Sequence, residues 1–155
     1  MLENKIKPKV EEIASEYLDG EALDNLLDFV AWMREKRMTP TFANKSSIGV
    51  NYTSRICYLK LRHGSWYIWP AGRKKERFHE YVYGFLVCEA LKELVSTSLA
   101  PCMKGCSHQC NGGSGYTVTV CGKDFENKCC CCPVRFHNPD AEALKIIKKV
   151  FEKTT

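Results

Sequence analysis

Arg55-Ile56-Cys57-Tyr58-Leu59-Lys60-Leu61-Arg62, then His63-Gly64, then Ser65-Trp66-Tyr67-Ile68-Trp69 is the stretch whose reading decides the architecture. Successive side chains of an extended chain point to opposite faces, so a strand with one buried face alternates with period two. Cys57, Leu59 and Leu61 alternate here with Ile56, Tyr58, Lys60 and Arg62, and the pattern returns after His63-Gly64. A two-residue connection carrying glycine is the turn that antiparallel neighbours favour. The stretch therefore predicts a β-hairpin, closed by Pro70-Ala71-Gly72. Ile48, Val50 and Tyr52 alternate in the same way after the polar turn Asn44-Lys45-Ser46-Ser47 and predict a further strand.

Outward from the hairpin the period changes to that of helices. Val10, Ile13, Ala14, Tyr17 and Leu18 predict an amphipathic helix over 9–18. Leu23, Leu26, Leu27, Val30 and Met33 predict a second, running to about Arg37 and stopped by Met38-Thr39-Pro40. Downstream, Phe78, Tyr81, Val82, Phe85, Leu86, Leu91, Leu94 and Val95 cover more than one side of a helix from about Glu76 to Ser96, expected to be the central buried one. Tyr116, Val118 and Val120 predict a strand, with a turn at Gly122-Lys123-Asp124; Cys129 to Phe136 is a further candidate strand. Asn138 as N-cap and Pro139 at the first helical position open a last helix with Ala143, Leu144, Ile147, Val150 and Phe151 inward. This order predicts an α+β fold with a mainly antiparallel sheet, an N-terminal helical pair, a central buried helix and a C-terminal helix. A parallel doubly wound sheet is excluded, because strands and helices do not alternate.

The 155 residues, 45% hydrophobic and 26% charged, suit one domain, 1–155, with a core large enough to need no staples. An acidic helical part, 1–38, precedes an α+β body, 39–155. Residues 1–35 hold nine acids against four bases, so the remainder carries +10 of the total of +5. The opening is too charged for a signal peptide, and the apolar run from Tyr81 to Ala90 is about half a membrane span. A cytoplasmic location without membrane contact is expected.

Eight of the ten cysteines fall within 102–132. In a reducing compartment such clustering points to metal or redox chemistry rather than to disulfides. Cys102, Cys106 and Cys110 form C-x3-C-x3-C with His108 between the last two, and Cys121 and the run Cys129 to Cys132 follow. Thiolates and imidazole suit tetrahedral zinc, with an iron–sulfur cluster as the second choice. On a strand, alternate members of the run would face opposite sides. The favoured zinc ligands are Cys102, Cys106, Cys110 and Cys129, with His108, Cys121 or Cys130 as substitutes. Lys104, Lys123 and Lys128 can lower nearby thiol pKa values, which keeps a thiol-dependent enzyme or redox sensor open. Cys57 and Cys88 read as small buried hydrophobes.

Cys121-Gly-Lys-Asp-Phe-Glu-Asn-Lys-Cys129, followed by Arg135-Phe136-His137-Asn138-Pro139-Asp140, resembles the C-terminal stretch of a family of small uncharacterised bacterial proteins with a cysteine cluster. The resemblance covers about the last third of the chain. It implies a bacterial cytosolic protein and matches Cys129 to the family's cysteine, but implies no activity.

Trp66, Tyr67, Trp69 and Tyr58 lie among Arg55, Lys60, Arg62, Arg73, Lys74, Lys75 and Arg77. Aromatics interleaved with bases on a sheet can stack nucleobases and hold phosphates. The plainer expectation is that the rings fill the core and the bases stay solvated. A cysteine with His63, His79, His108 or His137 could form a nucleophile–base pair, which only spatial proximity can establish. The leading expectation is a binding domain, for a small molecule or protein, clasped by one structural zinc. A thiol enzyme or redox sensor and a nucleic-acid-binding hairpin stand behind it.

Overall fold

The structure is a computed structural model; residues 9–70, 93–94, 97–99, 115–120, 123–128 and 135–154 are described. It bears out the α+β architecture. Two helices, α1 (Val10–Tyr17) and α2 (Gly20–Glu35), precede strands β1 (Thr39–Asn44), β2 (Ser47–Tyr52), β3 (Ser54–Arg62) and β4 (Ser65–Pro70). Strands β5 (Tyr116–Val120), β6 (Lys123–Lys128) and β7 (Phe136–His137) and helix α3 (Ala141–Thr154) follow. The expected central helix lies outside the described residues except near its end. There Glu93, Leu94, Thr97 and Ser98 are helical, and the Thr97 and Ser98 hydroxyls donate to the Leu94 carbonyl at 3.0 and 2.6 Å.

The main sheet runs β1-β2-β3-β4-β7, with every neighbouring pair antiparallel. The hairpin forms as expected: Leu59 faces Ile68, Leu61 faces Trp66, and Gly64 takes a φ of 74° at the turn. Strand β1 was not expected. Its Thr39-Pro40 reads as a helix stop, but a proline costs no ladder bond on an edge strand, and β1 is an edge. The expected turn at Gly122-Lys123-Asp124 is also corrected, because Lys123 and Asp124 already pair with Val120 and Thr119 in a separate two-stranded sheet.

Register fixes which side chains are buried. Ile48 and Val50 of β2, Cys57, Leu59 and Leu61 of β3, Trp66 and Ile68 of β4 and Phe136 of β7 share the inner face and one core with all three helices. Helix α2 contributes Leu26, Phe29, Val30 and Met33, the i, i+3, i+4, i+7 spacing of one helical stripe. Helix α3 contributes Leu144, Ile147, Val150 and Phe151. At their meeting point Phe29 lies 6.2 Å from both the Trp66 and the Phe151 rings and stacks on Trp32 at 5.5 Å.

Helix ends are settled by backbone geometry. At the end of α2, Met38 N–H donates to the Met33 carbonyl and Arg37 N–H to Arg34, with Arg37 at a φ of 60°. This pair of bonds closes the helix as a Schellman motif, with arginine where glycine is usual. The cap of α3 differs from expectation: Asp140 Oδ1, not Asn138, accepts the Ala143 N–H at 2.8 Å. Asn138 instead accepts the Trp66 N–H at its Oδ1, and its own N–H donates to the Trp66 carbonyl, both at 2.8 Å. That reciprocal pair extends the two-residue β7 along β4.

Truncating Phe29 removes a side chain shared by α2, the sheet and α3. Phe29→Ala is expected to cost about 3–5 kcal/mol, read as a lower midpoint in urea; a loss below about 1 kcal/mol would show that the junction does not hold the layers together.

Candidate nucleic-acid interface

The parity that buries Leu59, Leu61, Trp66 and Ile68 sends their neighbours to the other side of the sheet. There Tyr58 pairs with Trp69, Lys60 with Tyr67, and Tyr67 with His137. The hairpin's rings therefore divide, which corrects the expectation that they fill the core. Only Trp66 is fully buried; Tyr58, Tyr67 and Trp69 are half-buried on the outer face.

Cations lie against these rings. The Arg55 guanidinium is 4.7 Å from the Tyr58 centroid, and Lys60 Nζ is 4.8 Å from Tyr58 and 5.3 Å from Trp69. Arg135 lies 4.6 Å from Trp69, and Arg62 lies 5.7 Å from Tyr67. Tyr67 also packs on His137 with centroids 4.7 Å apart. A cation within about 6 Å of a ring face is held by the ring quadrupole at a cost in hydration that exposure keeps small.

Two local features aim Arg55. A bulge between Val50 and Asn51 shifts the β2–β3 register, and the Asn51 Oδ1 accepts the Arg55 Nε–H at 2.8 Å. The guanidinium then occupies the space over Gly49, where an added Cβ would collide with Arg55 Nη1 and Cζ. Glycine is thus needed at 49 for the arginine to reach Tyr58. Arg135 is set by backbone: its N–H donates to the Ser98 carbonyl at 2.9 Å. Its Nε is buried and has no acceptor among the described residues.

Charge is segregated across the sheet. The ion pairs of the described residues, Arg34–Glu11, Lys36–Glu152, Lys145–Glu142 and Lys148–Asp28, all belong to the helical side. Hydrogen bonding to Arg34 holds the Glu11 carboxyl below the ordinary carboxylate range. Arg55, Lys60, Arg62 and Arg135 enter no ion pair with a carboxylate among the described residues. Lys60, Leu61, Arg62, Tyr67, Trp69 and Arg135 line a cleft of about 330 Å³ on this face. That Arg135 and His137 join this face is not legible in the sequence, because β7 has two residues, too few to display an alternation.

Cys102, Cys106, Cys110 and Cys129, with His108, Cys121 and Cys130, lie outside the described residues, as do Cys88, His79, His108 and the basic run Arg73 to Arg77. Among the described residues no group of three or more His, Cys, Asp or Glu side chains is placed to hold a metal ion. Cys57 is fully buried, as expected, and burial pushes its thiol pKa far up. It faces inward, whereas His63 stacks on Tyr17 at the turn and His137 lies on the outer face, so neither forms a base pair for it. No helix among the described residues is long and apolar enough to cross a membrane. Comparison of the chain with protein-family models, curated proteins and solved structures finds no match in any of the three, and nothing in those comparisons bears on the likeness of residues 121–140.

Gly49→Ala is expected to displace the Arg55 guanidinium from Tyr58 while costing no more than about 1 kcal/mol, because the obstructing group is the end of a flexible side chain. Loss of the ring-current shift of the Arg55 side-chain protons, with near-unchanged urea denaturation, is the signature; a loss above about 3 kcal/mol would mean that the backbone yields instead.

Proposed function

We propose that this chain is a binding module for single-stranded nucleic acid, engaged on the outer face of the five-stranded sheet. One observation carries the reading: four cations lie against three half-buried rings and meet no carboxylate among the described residues. Bases released from a helix present π-faces that stack on aromatic rings or on arginine planes, and the phosphates between them need fixed positive charge. A duplex keeps its bases stacked on one another and leaves the rings without a partner. The reading is sequence-tolerant, since stacking and charge do not distinguish bases by their edges.

Fluorescence anisotropy with a labelled single strand tests it. Neutralising about four phosphates gives a log–log salt slope of about −2 to −3 for a single strand. Tyr58→Ala removes one stacking ring and is expected to weaken binding about tenfold. Absence of binding at about 20 mM salt, where screening is weak, or full affinity in Tyr58→Ala, would sink the reading.

A second, compatible reading concerns the cysteine segment: one structural zinc held by Cys102, Cys106, Cys110 and Cys129, with His108, Cys121 or Cys130 as substitutes. Its support is the way the described flanks are joined. Ser98 and Arg135 are hydrogen-bonded on one side, and Tyr116 pairs with Lys128 on the other. Chain connectivity thus starts the C-x3-C-x3-C run and the Cys129 run from shared anchors. A bound zinc supplies a tetrahedral cross-link between the two runs and needs no further chemistry. Metal analysis of protein purified without added zinc is expected to give about one zinc per chain, and less than about 0.2 would overturn the assignment, since a closed thiolate site binds tightly. Counting iron and sulfide in the same sample separates the iron–sulfur alternative.

A further inference from the structure

The cleft between Lys60, Arg62 and Arg135 differs from the rest of the outer face in shape and charge. Arg55 and Tyr58 are half-buried and lie outside it, whereas these three cations line a recess of about 330 Å³ together with Tyr67 and Trp69. That volume is at the lower end for a small-molecule site. It suits one nucleotide and not a run of several. The cations approach from two sides: Lys60 and Arg62 both come from β3, Lys60 beside Tyr67 in register and Arg62 over the Tyr67 ring, and Arg135 lies over Trp69 from beyond β4.

The charge balance is specific. None of the described residues lining the recess is acidic, and three of them are cations, Lys60, Arg62 and Arg135. An internal phosphodiester brings one negative charge and must continue in both directions, which an open track serves better than a recess. A phosphate monoester carries about −1.5 to −2 charges near neutral pH and three strong acceptor oxygens. Three converging donors match that group, and arginine's fork suits its geometry. Among the described residues Arg135 enters no ion pair, and its buried Nε has no acceptor.

We infer that this recess takes the terminal phosphate and last base of a single strand, so that the module recognises a phosphorylated end. The inference rests on nucleic-acid binding by the outer face and assigns Arg135 the terminal phosphate. Tyr67 and Trp69 form the walls against which the end nucleotide lies.

The test compares three ten-nucleotide strands of one sequence, labelled at an internal base, with a 5′-phosphate, a 3′-phosphate or hydroxyls at both ends. With the full-length protein, one phosphorylated end is expected to bind about 10-fold tighter than the hydroxyl strand, as added charge-assisted hydrogen bonds would give. Its salt slope should be steeper by about one. Arg135→Ala should abolish the preference, all three strands then binding that variant equally whatever its overall affinity, and Arg135→Lys should restore part of it. Arg62→Ala, on a strand held by many other bonds, gives a second reading if the Arg135 variant does not fold. Equal affinity for all three strands overturns the inference and leaves the broader reading standing. Binding of none overturns both. A preference that survives both Arg135→Ala and Arg62→Ala places the phosphate elsewhere and overturns the assignment.

Discussion

The contact of Phe29 with Trp66 and Phe151 is the constraint on which the rest depends. Phe29 comes from α2, Trp66 from the sheet and Phe151 from α3, three segments far apart in sequence. Aromatic pairs at such separations contribute beyond their buried area because ring edges meet ring faces. Once α2 and α3 are held against β4 through this junction, one face of the sheet is committed to the core. The opposite parity is then committed to whatever lies on the other side. The rings and cations of the outer face follow from the inner packing and need no separate device to set them out, apart from Gly49 and Asn51 beneath Arg55.

Much of the fold is legible in the sequence because periodicity reports burial directly. Helices α1, α2 and α3 have apolar stripes at helical spacing, and β3 alternates over eight residues into a glycine turn. What could not be read has physical reasons. Strand β1 carries Pro40 and little apolar alternation, since an edge strand needs neither an N–H at every position nor two buried faces. The cap of α3 was misplaced by two residues, because an asparagine can satisfy a strand as readily as a helix, and Asn138 completes β4.

The site was half legible for a related reason. Trp66-Tyr67-Ile68-Trp69 is apolar at every position, so β4 alone does not reveal its inner face. Register against Leu59 and Leu61 does, and register is a property of two strands. Arg135 joins the cations only because β7 returns beside β4, a long-range pairing that no local pattern announces. The cysteine run is the reverse case, conspicuous in sequence yet silent about how its members meet.

The edges of the main sheet carry one more consequence. Open strand edges invite pairing with other molecules and seed aggregation. At one border Pro40 lacks a donor and the β1–β2 register breaks between Phe42 and Asn44. At the other, β7 is only two residues long, and Ser98 already takes the N–H of Arg135 beside it. Both borders are poor templates for a further strand. A face rich in half-buried rings can therefore be displayed without the sheet growing sideways into fibres.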